Sequence, residues 1–266
     1  MANRAKLVNL KDNLEMLYAR FNRRAFVSPD PLQFLYAYPD AGDREIAGLM
    51  AASLAYGNVK QILKSLSVVF EKMGSSPRKF VLESTPGTLR KIFAGFRHRW
   101  HTGDDVAYAL TGIKFVLEKY GSLEKCFLAD GLSHLVSELT RDIPNLRMNF
   151  FPSPSRGSAC KRLHLFLRWM VREDQVDPGG WKSVSPTQLI IPLDTHMHRI
   201  GRKLKLTRRN QGDMKTAMEI TEAFRKICPE DPVRYDFTLT RLGIQRIDFH
   251  ASKNSTIILP VAPQIS

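Results

Sequence analysis

Residues 189–206 read LIIPLDTHMHRIGRKLKL, an apolar run that ends in a proline and is followed at once by Asp194. Beyond Asp194, apolar residues recur every three or four positions among basic ones, which is the period of an amphipathic helix. Aspartate is a favoured N-cap because its carboxylate accepts hydrogen bonds from the unpaired N–H groups of a first helical turn. The stretch therefore predicts a basic helix that begins directly after Asp194.

The helical period extends over most of the chain. It is present in residues 6–24, 43–73, 104–119, 133–142, 158–172, 195–206, 213–227 and 232–243. Alternation typical of a strand is scarce, and residues 255–262 are the best candidate for it. Several helical segments follow a residue suited to N-capping: Asp43, Asp104, Ser158, Asp194 and Asp213. The pattern predicts an all-α protein.

Turn-forming residues divide the chain into segments. SPDP at 28–31, YPDAG at 38–42, FFPSPSRGS at 150–158 and DPGGW at 177–181 are strong breaks. We expect a middle helical bundle over residues 40–145. Residues 1–39 and 146–250 would form a second helical layer, and residues 251–266 a C-terminal tail. A groove between two layers is a common place for a functional site.

Composition and charge limit the classes of protein that the chain can belong to. Lysine and arginine number 40 against 26 acidic residues, for a net charge of +14, which favours a nucleic-acid partner. The three cysteines lack a CxxC pair, so a disulfide framework is not expected. Neither a signal peptide nor an apolar run of membrane-spanning length is evident. We expect a cytoplasmic, nucleoid-associated monomer that does not bind a membrane.

The residues after the apolar run also match a longer motif. The segment resembles the Gly/Pro–Asp element of the helix-hairpin-helix DNA glycosylases, and the matching residues are Pro192, Leu193, Asp194, Thr195, His196, Met197, His198 and Arg199. The resemblance implies a two-layer all-α glycosylase fold in which Asp194 both begins a helix and takes part in catalysis. The alternative is that Asp194 only caps the helix.

The resemblance further implies a lysine nucleophile upstream. The candidate is Lys161 in RGSACKRLHLFLRWMVR, residues 156–172, where Ser158 as N-cap would make Lys161 the third helical residue. The positive end of a helix dipole there disfavours an ammonium and so favours the neutral amine. Such an amine can attack the sugar C1′ of a damaged nucleotide and form a Schiff base. The alternative is a solvated or phosphate-binding lysine.

Two features depart from the family pattern. Asp194 follows Lys161 by 33 residues, and the extra length lies in 172–186. Such a long interval resembles the archaeal 8-oxoguanine glycosylases more than endonuclease III. The glycine-rich hairpin before the lysine is replaced by FPSPSRGSACK, so its contacts with the DNA backbone would pass to neighbouring residues. We assign this role to Ser153, Ser155, Arg156, Gly157, Ser158 and Arg162.

Residues 45–63, EIAGLMAASLAYGNVKQIL, are similar to the glycosylase helix that ends in a polar turn beside a flipped base. The turn here consists of Tyr56, Gly57 and Asn58. Tyr56 would stack on a base, and Asn58 would wedge into the duplex or hydrogen-bond to it. The alternative is a helix kink at Gly57 with ordinary core packing.

Further nucleic-acid contacts are assigned on residue type. Trp181 and His196 would lie beside the base, and the basic residues Arg199, Arg202 and Lys203 would follow the DNA backbone. The sequence FRHRW, residues 96–100, is either a phosphate-contacting patch or a solvated loop.

No cofactor or metal is expected from the sequence. No cysteine follows Gly243, where endonuclease III relatives bind an iron–sulfur cluster. His196 and His198 are two positions apart and do not share a helix face, so zinc is not expected either.

These resemblances imply a DNA glycosylase, closest to the archaeal 8-oxoguanine enzymes, that acts in base excision repair. It would excise a damaged base, such as 8-oxoguanine, from double-stranded DNA, with AP lyase activity through a lysine Schiff base. The alternative is a non-catalytic helical DNA- or RNA-binding protein that retains the fold.

Overall fold

The computed structural model describes residues 2–141, 143, 150–154, 157–244, 250–251 and 257–258. These residues are mostly helical, so the all-α class is confirmed. The helices are α1 (Ala2–Phe21), α2 (Ala41–Leu54), α3 (Val59–Met73), α4 (Pro77–Glu83), α5 (Pro86–Ile92), α6 (Gly103–Tyr120), α7 (Leu123–Leu139), α8 (Lys161–Val171), α9 (Thr195–Lys203), α10 (Met214–Arg225) and α11 (Asp236–Ile244). No helix among them is long and apolar enough to cross a membrane.

Two short antiparallel strand pairs accompany the helices. β1 (Arg97–His98) pairs with β2 (His101–Thr102), and β3 (His250–Ala251) pairs with β4 (Ile257–Ile258). The second pair lies partly in the segment 255–262, where the sequence predicts a strand. The first pair was not expected from the sequence.

The chain divides into two compact units. The central unit is Val27–Ser185, and the terminal unit combines Met1–Phe26 with Pro186–Ser266. The sequence-based division instead bounds the middle bundle at 40–145, so residues 27–39 and 146–185 are grouped differently. The helix of Lys161 consequently belongs to the central unit, whereas Asp194 belongs to the terminal unit.

Helix α2 is the buried centre of the central unit. All residues from Glu45 to Leu54 are buried, and α8 packs against this helix. Gly48 permits the close approach, because a side-chain Cβ there would already touch Phe166 and Met170 of α8 at 3.4 Å. Burial on all sides suits the small and apolar residues of α2.

The segment 172–186 is packed onto α8 within the central unit. Asp177 is fully buried, and its Oδ1 accepts hydrogen bonds from Nε and Nη2 of Arg168 at 3.2 and 3.0 Å. Its Oδ2 accepts another from Arg172. Arg44 on α2 donates to the carbonyl oxygens of Pro178 and Gly179, at 3.0 Å each. These paired charges hold the segment in a defined conformation.

The terminal unit joins both ends of the chain. Helix α1 packs on α11, and Glu15 accepts hydrogen bonds from Arg234 and from the Tyr235 hydroxyl, the latter at 2.6 Å. Helix α9 also packs on α11. The amide N–H of Ile191 donates to Thr221 Oγ1 on α10 at 3.0 Å, which fixes the apolar run before Asp194.

The N-caps agree only in part with the prediction. Asp194 and Asp213 cap α9 and α10 as expected. The caps predicted at Asp43, Asp104 and Ser158 are wrong, because the helices begin at other positions. Their N-cap residues are Asp40 for α2, Thr102 for α6 and Cys160 for α8.

Candidate functional site

The polar turn predicted after α2 is present in the structure. Helix α2 ends at Leu54, and α3 begins at Val59. Asn58 is the N-cap of α3, where its side chain accepts a hydrogen bond from the amide of Lys60 at 2.9 Å. Gly57 has φ +98, in the left-handed region that favours glycine. Both residues are exposed, and Tyr56 is half-buried.

Tyr56 ties the turn to the β1–β2 hairpin. Its hydroxyl donates to the carbonyl oxygen of His98 at 3.0 Å and lies 2.5 Å from His101 Nδ1. Because a hydroxyl carries one proton, His101 Nδ1 is then the donor to the tyrosine oxygen. The Tyr56 ring also packs edge-on against the rings of His98 and His101. The hairpin and the turn therefore form one hydrogen-bonded element.

His98 holds the hairpin from its buried side. Its Nε2 lies 3.2 Å from the carbonyl oxygen of Tyr56, and its Nδ1 lies 2.9 Å from Ser65 Oγ. A carbonyl only accepts, so Nε2 carries the proton. Burial lowers the pKa of His98, which favours the neutral ring with the Ser65 hydroxyl donating to Nδ1.

Two guanidinium groups lie over the Tyr56 ring. The carbon atom of the Arg162 guanidinium is 5.1 Å from the ring centroid, and that of Arg99 is 5.8 Å away. Arg162 also donates to the carbonyl oxygen of Ser53 near the end of α2. Arg99 extends over the ring of Trp100 at 4.4 Å. Cation–π contacts of this kind favour a fixed arrangement of rings and charges.

Lys161 is the first residue of α8 and is half-buried. The prediction that it is the third helical residue is wrong, because the helix begins later than expected. Cys160 precedes it in a left-handed conformation, with φ 45. Ser158 Oγ accepts a hydrogen bond from the Cys160 amide at 3.2 Å, in the turn before the helix. Lys161 thus begins the helix whose second residue, Arg162, contacts Tyr56.

The segment assigned to the DNA backbone is described in part. Ser153 is half-buried, and Gly157 and Ser158 are exposed. The amide of Gly157 donates to the carbonyl oxygen of Pro154 at 3.2 Å, which forms a turn. Ser155 and Arg156 lie outside the described residues.

Asp194 occupies the N-cap of α9 in the terminal unit. Its carboxylate accepts a hydrogen bond from the Met197 amide at 2.8 Å, and its carbonyl oxygen accepts one from the His198 amide at 2.8 Å. Asp194 and His196 are both half-buried. The capping role is therefore present.

Helix α9 carries the predicted basic side chains. Arg199, Arg202 and Lys203 are all exposed. Arg209, beyond the end of the helix, forms an ion pair with Asp213 at 2.7 Å. The exposed basic groups lie on the helix that Asp194 begins, so this helix can offer a positive surface beside the carboxylate.

The assignment of Trp181 to a base-stacking role needs correction. Its ring is 3% exposed and packs against Phe166 and Phe127, with centroids 5.2 and 5.6 Å apart. Its Nε1 donates to Glu45 at 3.0 Å. Burial raises the pKa of this carboxyl to about 7. A ring in such a site is part of the core and does not meet a base.

The structure thus brings some predicted site residues together within the central unit. The turn of Tyr56, Gly57 and Asn58 adjoins the start of α8 through Arg162, and the hairpin with Arg99 joins them. From sequence alone, FRHRW indicates either a phosphate-contacting patch or a solvated loop. This charge run does not indicate that the hairpin contacts Tyr56.

Metal ligands and known relatives add little to this description. Among the described residues, no group of three or more His, Cys, Asp or Glu side chains is placed to hold a metal ion. Residues 30–245 match the family model described as "Protein of unknown function (DUF2400)". No curated protein and no solved structure matches the chain.

Proposed function

The chain belongs to the DUF2400 family, whose function is unknown, and from its own residues we propose that it is a DNA glycosylase with lyase activity. The observation that carries the proposal is the position of Asp194. The motif from Pro192 to Arg199 resembles the glycosylase element, and a helix with an exposed basic face begins directly after its aspartate. An isolated capping aspartate does not require the rest of that motif.

The proposed reaction uses Lys161 as nucleophile. Its neutral Nζ attacks C1′ of the damaged nucleotide, the bond from C1′ to the base breaks, and the departing base takes up a proton. The sugar ring then opens to a Schiff base on the lysine. Loss of a proton from C2′ breaks the C3′–O bond, and the phosphate on that oxygen departs with the downstream strand. Water then hydrolyses the Schiff base to release the lysine.

Asp194 would act on the charge that develops during this reaction. Breaking the bond to the base places positive charge on the sugar, and a carboxylate stabilises a charge of this sign. Its hydrogen bond from the Met197 amide fixes the carboxylate orientation. A damaged base such as 8-oxoguanine would be turned out of the duplex, with Tyr56 as a stacking surface.

The second candidate is a helical DNA- or RNA-binding protein without this chemistry. The observation that favours it is the segment before Lys161, FPSPSRGSACK, in which Gly157 is the only glycine that remains of the usual hairpin motif. The exposed basic residues of α9 serve either function, so salt dependence of binding does not separate the two.

Borohydride trapping separates them. The protein is incubated with duplexes that carry 8-oxoguanine, other oxidised bases or an abasic site, and sodium borohydride reduces any Schiff base to a stable adduct. We expect a covalent protein–DNA band with the wild type and none with Lys161→Gln. Lys79→Gln is the matched control, because Lys79 is an exposed lysine of the same unit that pairs only loosely with Glu83 at 3.9 Å.

The outcome is decisive for the lysine chemistry. Wild-type protein that traps no oligonucleotide across the panel, although it binds the duplexes, would refute the lyase and favour the binding protein. Trapping that persists in Lys161→Gln would show that another amine is the nucleophile. Circular dichroism of each variant checks that the helices are retained.

A further inference from the structure

Trp100 differs from the other tryptophans of the chain in its exposure. It is 58% exposed, whereas Trp169 and Trp181 are 1% and 3% exposed. The sequence contains three tryptophans, so Trp100 alone presents an indole to solvent. An exposed indole leaves a large apolar surface in water, which costs free energy unless a ligand covers it.

The hairpin presents this ring on a fixed turn. β1 and β2 pair through His98 and His101, and the two residues between them are Arg99 and Trp100. Both histidines are buried, and both form hydrogen bonds with Tyr56. Arg99 has φ 55, so the turn has a tight left-handed conformation. A ring on such a turn loses little conformational freedom when a flat ligand stacks on it.

The hairpin that carries the ring is basic. Its charged side chains are Arg97 and Arg99, and both are exposed. The Arg99 guanidinium also lies over the Trp100 ring. An aromatic ring beside exposed arginines suits a ligand that is both flat and anionic.

We propose that the Arg99–Trp100 turn is a binding site for an unpaired base of DNA. The base stacks on the Trp100 indole, and the flanking phosphates lie among the surrounding cations. A basic protein partner fits less well, because the charged side chains of the hairpin itself are Arg97 and Arg99. The choice of DNA rests on the proposed function, whereas the stacking on the turn does not.

Tryptophan fluorescence tests the proposal directly. With Trp169 and Trp181 buried, quenching by an added oligonucleotide reports on Trp100. The intact protein is titrated with single-stranded oligo(dT) and, at the same salt, with an abasic oligonucleotide of equal phosphate number. We expect oligo(dT) to quench the emission and the abasic strand not to, because only a base can stack on the ring.

Variants measure how much the ring contributes. Trp100→Ala should weaken oligo(dT) binding between about 5- and 150-fold, the range of one lost base–aromatic stack. Trp100→Tyr keeps a stacking ring and should retain most of the affinity. Leu128→Ala is the control, since Leu128 is another exposed apolar residue of the central unit, at 46%, and should not change binding.

Several results would overturn the proposal. Equal quenching by the abasic strand would mean that only phosphates bind, and unchanged affinity in Trp100→Ala would mean that the ring does not contribute. Quenching that rises with protein concentration alone would indicate self-association through Trp100. Stronger binding of an oligo(U) strand would replace DNA by RNA. If trapping by Lys161 fails while oligo(dT) still quenches, the glycosylase is refuted and this site is retained.

Discussion

Gly57 and Arg99 fit together so closely that a single methyl group at Gly57 would collide with the arginine. A Cβ on Gly57 would lie 2.9 Å from both Cδ and Nη1 of Arg99. The contact couples the turn after α2 to the hairpin that carries Trp100. Arg99 in turn lies over the rings of both Tyr56 and Trp100. Any side chain at position 57 therefore disturbs two aromatic contacts at once.

We expect Gly57→Ala to lower both stability and oligonucleotide binding. The positive φ of Gly57 costs about 1 kcal/mol for a residue with a Cβ, and the collision displaces Arg99 in addition. Urea denaturation and oligo(dT) titration measure the two effects. Gly74→Ala is the control, because its φ is +69 and a Cβ there meets nothing within 4 Å. If both variants bind DNA equally well, the contact with Arg99 does not matter for binding.

Two substitutions of Asp194 separate capping from catalysis. Asparagine is as good an N-cap as aspartate but is uncharged, so Asp194→Asn should keep the stability of the wild type. We expect base excision to fall about 100-fold or more, as when one group that stabilises the transition state is removed. Asp194→Ala should lose this activity and about 1 kcal/mol of stability. Single-turnover excision and thermal melting measure these effects. Full activity of Asp194→Asn would show that Asp194 caps the helix and does not take part in catalysis.

The buried charges beside α8 should make Asp177 essential for stability. Asp177→Asn removes the negative charge that two buried guanidinium groups share, so we expect a loss of about 3–5 kcal/mol in the free energy of unfolding. Chemical denaturation measures it. The control is Glu173→Gln, which removes a carboxylate from the same segment, but from an exposed pair with Lys182. Similar midpoints for both variants would contradict a structural role for the buried cluster.

His164 should make the protein sensitive to acid. The residue is 3% exposed, neither ring nitrogen has a hydrogen-bond partner among the described residues, and burial lowers its pKa to about 4. Between pH 6.5 and 4 the unfolded chain binds a proton at His164, whereas the folded protein does not. Stability is therefore lost as the pH falls, by up to about 3 kcal/mol.

A comparison of the wild type with a variant that lacks His164 isolates the contribution of this residue to the pH dependence. Unfolding free energies of the wild type and of His164→Leu are measured from pH 7 to pH 4. The wild type should lose stability more steeply than the variant over this range. Parallel curves would show that the folded protein binds a proton at His164 as readily as the unfolded chain does.

The sequence predicts helices α9 and α10 well because their signals are local. The apolar period locates α9 and α10, and the carboxylates of Asp194 and Asp213 cap these helices through neighbouring amides. The turn at Tyr56–Asn58 follows from Gly57, because glycine adopts a positive φ readily. In each case the interaction that sets the structure is formed within a few residues.

The remaining features depend on contacts between distant residues. The β1–β2 hairpin has two residues per strand, which is too short for a pattern, and it depends on Ser65 and Tyr56 to bind His98. Trp181 follows a glycine-rich turn that indicates a surface loop, yet Glu45 on α2 accepts its Nε1 hydrogen. None of these partners is adjacent in sequence.

The terminal unit has a consequence for biosynthesis. Glu15 receives its hydrogen bonds from Arg234 and Tyr235, which leave the ribosome more than two hundred residues later. The central unit is continuous in sequence and can fold while the chain is still growing, since domains fold as units during synthesis. Helix α1 is made well before these two residues, so Glu15 lacks their hydrogen bonds until they have been synthesised. Until then the side of α1 that packs on α11 is exposed to chaperones, proteases and other nascent chains.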